Sequence, residues 1–527
     1  MTYLDWRYVS WKQVIPRVVA DIALVHLSAL AALGVGALWQ MNEVSGQEGV
    51  QLLDQLQRSY VTTFLPLSVI FPVSFFLQGF YTRSRSYSGR YKWLSLARGA
   101  TIATLLFLFL AFLLSRTTML PRSSTLAFIV LVNATMIGAR LTKSWLMGEG
   151  TPPVATARAA EVRPGAPEKV LIVGGGGYIG SILCRSLLAQ GKSVRLLDSF
   201  VYGDAAVREL FGHPELELMP GDCRNIQTVV SAMNGVQSVV HLAAIVGDPA
   251  CEQDRESALE INYAATRMMI EIAKGHGVRR FVFASSCSVY GETEELVDEK
   301  SAVGPISLYA QTKVDSERAL LNAKTASFHP VILRLATVFG NSYRPRFDLV
   351  VNLLTAKALR EGVITIYNGE QWRPFIHVSD VARGFVHALE APLDLVSGEV
   401  YNLGDSRLNY TLSRVAETIQ TLIPETRIEH VTNPDRRNYR VCFDKVRNEL
   451  GFECRVDLEQ GVRDLSDALR TGRIVDYLDP LYHNQRFLKS TGPLTTHAEI
   501  DAQVMAAFAM AVSEHAGYVS IPAPQPR

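Results

Sequence analysis

Tyr309 and Lys313 stand four residues apart, so a helix would carry both on one face. A free tyrosine titrates near ~10 and is a poor proton acceptor at neutral pH. A neighbouring ammonium favours the phenolate and lowers that value, which suits general acid–base work. Upstream, Ser286 lies in Ser285-Ser286-Cys287-Ser288-Val289-Tyr290-Gly291, where a hydroxyl can hydrogen-bond a substrate oxygen. These are the parts needed to move a proton while a hydride leaves or joins a secondary alcohol. A Tyr-x-x-x-Lys pair alone is a common coincidence. It gains weight from an earlier glycine cluster, Gly174-Gly175-Gly176-Gly177-Tyr178-Ile179-Gly180. That cluster follows the apolar run 170–173 and precedes helical spacing of Ile182, Leu183, Leu187 and Leu188. Gly174, Gly177 and Gly180 permit a tight turn and let backbone N–H groups approach a pyrophosphate at a helix N-terminus. Tyr178 and Ile179 belong to the same turn and are read with it as cofactor-binding. A second apolar run, 193–198, ends in Asp198, near the spacing of a ribose-binding carboxylate.

Positioning these residues requires strands that end where the chemistry begins. From residue 169 the chain alternates strand-like and helix-like segments, with further strands expected at 238–242, 280–285 and 331–335. That order predicts an α/β fold with a doubly wound parallel sheet. The glycine cluster begins late because a very apolar region precedes it. Four segments, 18–39, 61–80, 99–115 and 124–146, approach the ~20 residues that cross a bilayer, and Arg140 and Lys143 interrupt the end of the last. The first loop carries Glu43, Glu48 and Asp54, and the second Arg83, Arg85, Arg90, Lys92 and Arg98. The positive-inside rule then places both termini and the redox domain in the cytoplasm. Asp21 and His26 fall inside the first segment, and Asp21 is read as an interfacial or interhelical polar group. Pro66 and Pro72 are expected to kink the second.

Composition bounds the alternatives. At 527 residues the chain exceeds one ordinary domain, and 48% hydrophobic content fits a protein partly in membrane. A net charge of +1 gives no argument for nucleic-acid binding. The six cysteines are scattered without metal-ligand spacing, so no metal site is expected. The domain reading is a four-span transmembrane domain over 1–147, a Pro- and Ala-rich flexible linker over 148–168, a catalytic domain over 169–475, and a C-terminal extension over 476–527. That extension carries one candidate helix, 498–514.

Two resemblances sharpen this. The four spans, with Gly79-Phe80-Tyr81-Thr82-Arg83 and Pro121-Arg122-Ser123, resemble bacterial membrane-bound polysaccharide-biosynthesis proteins. That implies a multi-pass enzyme of the bacterial inner membrane acting in surface-glycan synthesis. Residues 169–475 resemble an extended short-chain dehydrogenase/reductase of the nucleotide-sugar epimerase/dehydratase type. The match runs through the glycine cluster, Asp198, Gly221-Asp222, His241-Leu242-Ala243-Ala244, Asn262, Ser286, Tyr309, Lys313, Arg373-Pro374-Phe375-Ile376-His377 and Tyr401-Asn402-Leu403-Gly404. It implies a Rossmann-type core, a small C-terminal substrate-binding subdomain, and NAD. Tyr309 would be the catalytic base, Lys313 a ligand of the nicotinamide ribose, and Ser286 the group that aligns the sugar hydroxyl. Asp198 would bind the adenosine ribose and Asp222 the adenine, with Leu242, Ala243, Ala244 and Asn262 completing the cofactor site. Thr337, Arg373 and Arg437 would contact substrate, Arg373 through a diphosphate.

The type of reaction is read from a departure. The 4,6-dehydratase branch has an Asp–Glu pair where this chain has Cys287-Ser288, and Asp298 and Glu299 are too far along to replace it. Elimination of water needs an acid and a base there. The expected activity is therefore an NAD-dependent epimerase acting on a nucleotide-activated or polyprenyl-linked sugar. A 4-ketoreductase comes next, then a dehydratase, and a glycan-assembly scaffold is the non-enzyme alternative. A homodimer is left open. Arg346 reads as well as a surface charge as a ligand, and His377 reads as a core histidine.

Overall fold

The computed structural model describes residues 11–41, 46–77, 99–109, 122–146, 168–432 and 437–494. They fall into two units, within Met1–Thr156 and Ala157–Arg527. In the first, α1 (Trp11–Met41), α2 (Gly46–Leu77), α3 (Gly99–Phe109) and α4 (Arg122–Leu146) pack around Ala29, Ala32, Phe71, Phe107, Phe128 and Val132. α1 packs on both α2 and α4. Small residues on α1 allow close approach, and short polar side chains link the helices. Ser28 Oγ lies 2.6 Å from Thr135 Oγ1 on α4, and His26 Nε2 lies 2.8 Å from Ser68 Oγ on α2. Asp21 is buried among the helices. α2 continues through Pro66 and Pro72.

Two helical stretches are long and apolar enough to cross a membrane, Val14–Trp39 and Asp54–Phe76. The other two apolar stretches, Gly99–Phe109 and Ser124–Ala139, are shorter. Four spans are thus an expectation that two helices meet by length. The end of the third expected span, the basic second loop and nearly all of the 148–168 tether lie outside the described residues.

In the second unit, strands β1 (Lys169–Val173), β2 (Ser193–Asp198), β3 (Leu216–Pro220), β4 (Ser238–His241) and β5 (Arg280–Ser286) belong to one sheet. β7 (His329–Leu335) and β11 (Glu399–Leu403) complete it, in the order β11-β7-β5-β4-β1-β2-β3. Every pairing in it is parallel. Parallel strands covered on both faces must be apolar on both, and β1 obeys this. Val170 and Ile172 join the core on one side of the sheet, Leu171 and Val173 the core on the other. Strand order reverses between β1 and β4, and a crevice opens there at the carboxyl ends of the strands.

Shorter strands build the smaller subdomain. β8 (Thr337–Phe339), β10 (Trp372–His377) and β12 (Asn409–Thr411) form one sheet. β9 (Val363–Tyr367) pairs with β13 (Arg427–Val431), and β6 (Glu292–Val297) with β14 (Asn438–Val441). Beyond them the chain returns. The helix Asn484–Thr491 packs on the helix Asp248–Gln253, and Leu494 N donates to Asp254 Oδ2 at 2.9 Å. The part of the C-terminal extension that is described therefore lies against the catalytic unit. The helix expected over 498–514 is outside the described residues.

Candidate active site

The glycine turn is shaped by what a side chain would strike. Gly174 has φ +89°, a conformation that disfavours side chains, and a Cβ there would sit 2.7 Å from Ala243 N. At Gly180 a Cβ would lie 2.4 Å from Gly174 O and 2.6 Å from Gly175 Cα, so only glycine lets the helix Gly180–Ala189 pack this tightly. Asp198 closes the end of β2. Its Oδ2 accepts the Gly176 N–H and its Oδ1 the Phe200 N–H, both at 2.8 Å. Burial pushes the Asp198 carboxyl up, against the pull of those two donors. Asp222 lies beyond β3 and is held by an ion pair. Arg224 binds both of its oxygens, with Nη2 2.6 Å from Oδ2, and reaches on to Glu260 at 3.1 Å. Leu242, Ala243 and Ala244 follow β4, where Leu242 and Ala243 donate their N–H groups to Val173 O.

A cleft of about 650 Å³ runs from this turn to the catalytic residues. Gly174, Gly177, Tyr178, Ile179, Gly180, Asp198 and Asp222 line one end, with Leu242, Ala243 and Ala244 beside them. Ser286, Tyr309, Lys313, Thr337, Arg373 and Arg437 line the rest. Asn262 is the expected cofactor residue that does not line it. It is buried in a π-helical turn, Glu260–Ala264, and its amide clasps the backbone of Ile245, accepting from N at 2.8 Å and donating to O at 2.9 Å. Its action is on the loop, through the backbone. Tyr178 turns its hydroxyl away from the turn to donate to Gly340 O at 2.7 Å, leaving its backbone at the helix start.

Tyr309 enters at the start of the helix Leu308–Ala323, whose first turn is capped by Ser307 accepting from Ala310 N at 3.2 Å. Ser286 ends β5 beside the Tyr309 side chain. Ser288 holds it in place, donating from Oγ at 2.9 Å and from N at 3.1 Å. Lys313 is buried one turn along, with Nζ donating to Ala284 O at 2.7 Å and 5.6 Å from the Tyr309 ring centre. Burial lowers the Lys313 amine to about 8, opposed by Cys251 and Glu317. Here the sequence expectation needs correction. The protein packed around Tyr309 pushes its phenol well above 10, and Arg346 and the nearby Ser286 hydroxyl pull the other way more weakly. Loss of water around the phenolate outweighs the nearby cation.

Beneath these groups lies a buried network absent from the sequence expectation. Glu317 accepts from Arg334 Nε at 3.1 Å and Nη2 at 2.8 Å, and from the Ser285 hydroxyl. Arg334 Nη1 donates to Tyr290 OH at 2.9 Å. Glu317 continues the helix face of Tyr309 and Lys313, which is the signal a reader could have followed. Arg346 is buried and bidentate to Asp348, at 2.9 and 3.0 Å, so it is no surface charge. Arg437 pairs with Asp248 across 189 residues at 2.9 Å. Arg437 ends the run Asp435-Arg436-Arg437, which resembles a second phosphate-binding site; Asp435 and Arg436 lie outside the described residues. His377 packs edge-on to Phe339, bonds Ser379 Oγ at 2.7 Å and is lowered by burial, as a core histidine would be. Asp298 caps its own turn through Ser301, and Glu299 accepts the Asn402 N–H. Neither fills the place of an acid–base pair beside Ser286. Among the described residues no cluster of metal-binding side chains occurs.

The glycine cradle, the open carboxylate end of β2 and the Ser286–Tyr309–Lys313 group fit a dinucleotide laid along the cleft. Comparison with known proteins agrees. The description "NAD dependent epimerase/dehydratase family" matches residues 170–404. Over 251 residues the chain is 31% identical to an uncharacterized UDP-glucose epimerase of Bacillus subtilis, covering 45% of this chain and 76% of that protein. It is 28% identical over 318 residues to UDP-glucuronic acid decarboxylase 6 of Arabidopsis thaliana, covering 57% and 89%. A solved UDP-glucuronic acid 4-epimerase from Bacillus cereus, in complex with UDP-glucuronic acid and NAD, matches with a TM-score of 0.53 at 25% identity. That match covers 57% of this chain and 99% of the other.

Proposed function

The chain belongs to the NAD dependent epimerase/dehydratase family, and on that premise we propose that it is a membrane-anchored epimerase of a nucleotide-activated or lipid-linked sugar, working through a transient keto-sugar. The cofactor is NAD. When bound, NAD supplies a hydride acceptor and, in its oxidised form, a positive charge in the cleft that offsets the desolvation of the Tyr309 phenolate. Gly174–Gly180 and Asp198 hold it by backbone N–H groups and a ribose-binding carboxylate. Tyr309 takes the proton from a sugar hydroxyl that Ser286 orients. Lys313 keeps the proton balance in favour of the phenolate. Arg373 and Arg437 receive the substrate diphosphate, and Thr337 lies against the sugar.

One observation carries epimerisation ahead of dehydration. Ser286, Tyr309 and Lys313 converge on the cleft, while the two carboxylates lining it beyond the glycine turn and β3 are already paired. Asp248 is engaged by Arg437 and Asp348 by Arg346. With Cys287 and Ser288 after Ser286, no acid and base among the described residues stand ready to remove water from the sugar. Membrane anchoring is supported by α1 and α2, whose outward residues include exposed Val19, Leu27, Leu30, Leu65, Val69 and Val73. The basic second loop supports a cytoplasmic catalytic unit in a bacterial inner membrane, and the resemblance of the N-terminal third supports a role in polysaccharide synthesis.

The test is a panel of UDP-, GDP- and dTDP-sugars, with lipid-linked sugars added, incubated with the purified protein and resolved by mass and chromatography. Epimerisation gives an equal-mass isomer without net change in NADH. A product heavier by two hydrogens with loss of NADH, or lighter by one water, would overturn the reading in favour of a reductase or a dehydratase.

A further inference from the structure

Arg344 is buried on the wall of the cofactor cleft and makes no direct contact with a carboxylate among the described residues. Its neighbour Arg346 is satisfied bidentately by Asp348. Arg344 has only neutral acceptors, Leu481 O at 3.1 Å and Asn484 Oδ1 at 2.9 Å, both given by Nη2. Its Nε is buried with no hydrogen-bond partner among the described residues. The guanidinium lies 3.6 Å over the ring of Tyr202, in the loop after β2, and within electrostatic reach of Asp198. A buried cation without a direct carboxylate contact is costly to keep, and an arginine with an open donor is suited to phosphate oxygens.

We propose that Arg344 is a ligand of the cofactor's diphosphate, and that the segment 479–494 is a strap that holds Arg344 in place and closes over the bound cofactor. Position selects the cofactor's diphosphate and not the substrate's. Arg344 stands over Tyr202 and within electrostatic reach of Asp348 and of Asp198, whose carboxylate holds the Gly176 N–H, whereas Arg373 and Arg437 gather around Tyr439 and Asp248. The strap ties together the pieces that a cofactor must pass. Asn484 accepts from Arg344 through Oδ1, donates its backbone N–H to Asp348 Oδ2 at 3.1 Å, and donates from Nδ2 to Val246 O at 3.0 Å. Phe487 packs against Tyr202, with ring centres 4.6 Å apart. Release of the cofactor then requires the strap to lift, which suits a reaction that regenerates its NAD in every turnover. The inference rests on the cleft being an NAD site and is independent of which sugar is converted.

The experiment measures binding by calorimetry on the full chain in detergent, without any sugar, so a failed sugar assay leaves it intact. The ligands are NAD, NADP, ADP and adenosine. Arg344→Met is expected to weaken NAD and ADP about ten- to a hundredfold, the range of a charge-assisted hydrogen bond, and to leave adenosine unchanged. Unchanged NAD affinity would overturn the assignment. An equal loss for adenosine would overturn it too, showing a collapsed pocket, and a loss confined to NADP would move Arg344 to a ribose phosphate. Asn484→Ala keeps the arginine and tests the strap separately. NAD dissociation followed by stopped flow should quicken at least several-fold, and an unaltered rate would refute the closure.

Discussion

Replacing Glu317 by Gln should cost stability out of proportion to its size. Glu317 and Arg334 are both buried, and the carboxylate takes three guanidinium contacts at 3.1, 3.3 and 2.8 Å as well as the Ser285 hydroxyl. Glutamine keeps the shape but turns one acceptor oxygen into a donor facing the guanidinium. Arg334 would then be a buried charge supported by little beyond Tyr290. Breaking a buried pair from one side costs about 3–5 kcal/mol, a large share of the roughly 5–15 kcal/mol that holds a domain folded. Urea unfolding of the purified protein, followed by circular dichroism, reads that loss. The double replacement Glu317→Leu with Arg334→Met removes both charges and should cost less than Glu317→Gln alone. A second readout links the pair to chemistry. Glu317 supports the charge of Lys313, one turn away, so its neutralisation should lower the Lys313 pKa below about 8 and draw the alkaline limb of the activity profile to lower pH. A stability change under about 1 kcal/mol, or additive costs in the double variant, would refute the argument that the pair is buried and coupled.

Tyr309→Phe removes the proton acceptor and should cut turnover by about a hundredfold or more, while NAD recovered from the denatured protein is unchanged. Gly180→Ala places a methyl 2.4 Å from Gly174 O, so NAD binding by calorimetry should be lost together with thermal stability; a variant binding NAD like the wild type would contradict the packing described. Lys313 makes stability and activity diverge with pH. Its amine is lowered from 10.5 to about 8, so below about 8 both folded and unfolded chains carry the proton and the burial penalty is fully present. Between about 8 and 10.5 only the unfolded chain holds it, so stability should rise with pH by up to about 3 kcal/mol while activity, which needs the ammonium, falls. Lys313→Met should abolish that rise in a pH series of urea transitions.

Much of the site is legible because it is local. A glycine turn, an acid at the end of the next strand, and Tyr309 and Lys313 on one helix face are relations of a few residues, fixed by backbone geometry. Apolar runs bounded by turns likewise located β1, β2, β4, β5 and β7 to within two residues. Burial, by contrast, is not a local property. Read alone, Arg346 is as much a surface charge as a ligand, and nothing near it in the chain identifies Asp348 as a bidentate partner in a closed pocket. The phenol of Tyr309 was expected to fall because a lysine stands four residues on. It rises because the surrounding fold removes water, and no neighbour in sequence reports that.

The residues that join distant parts of the chain mark the same boundary. Arg437 meets Asp248 across 189 residues, and Asn484 meets Val246 across 238. The apolar residues of the strap, among them Leu481, Phe487, Leu488 and Leu494, form no periodic run in the sequence; they matter where Tyr202 and the core beneath the helix Asp248–Gln253 receive them. The order β3-β2-β1-β4-β5-β7-β11 brings the loops after β2 and β4 to one crevice, and the returning C-terminal segment covers it. Side-chain types and short spacings therefore define the chemistry this chain can perform. Which charges are buried, which are paired and what closes over the cofactor follow from long-range packing, because the free energy of a charge depends on the water the whole fold leaves beside it.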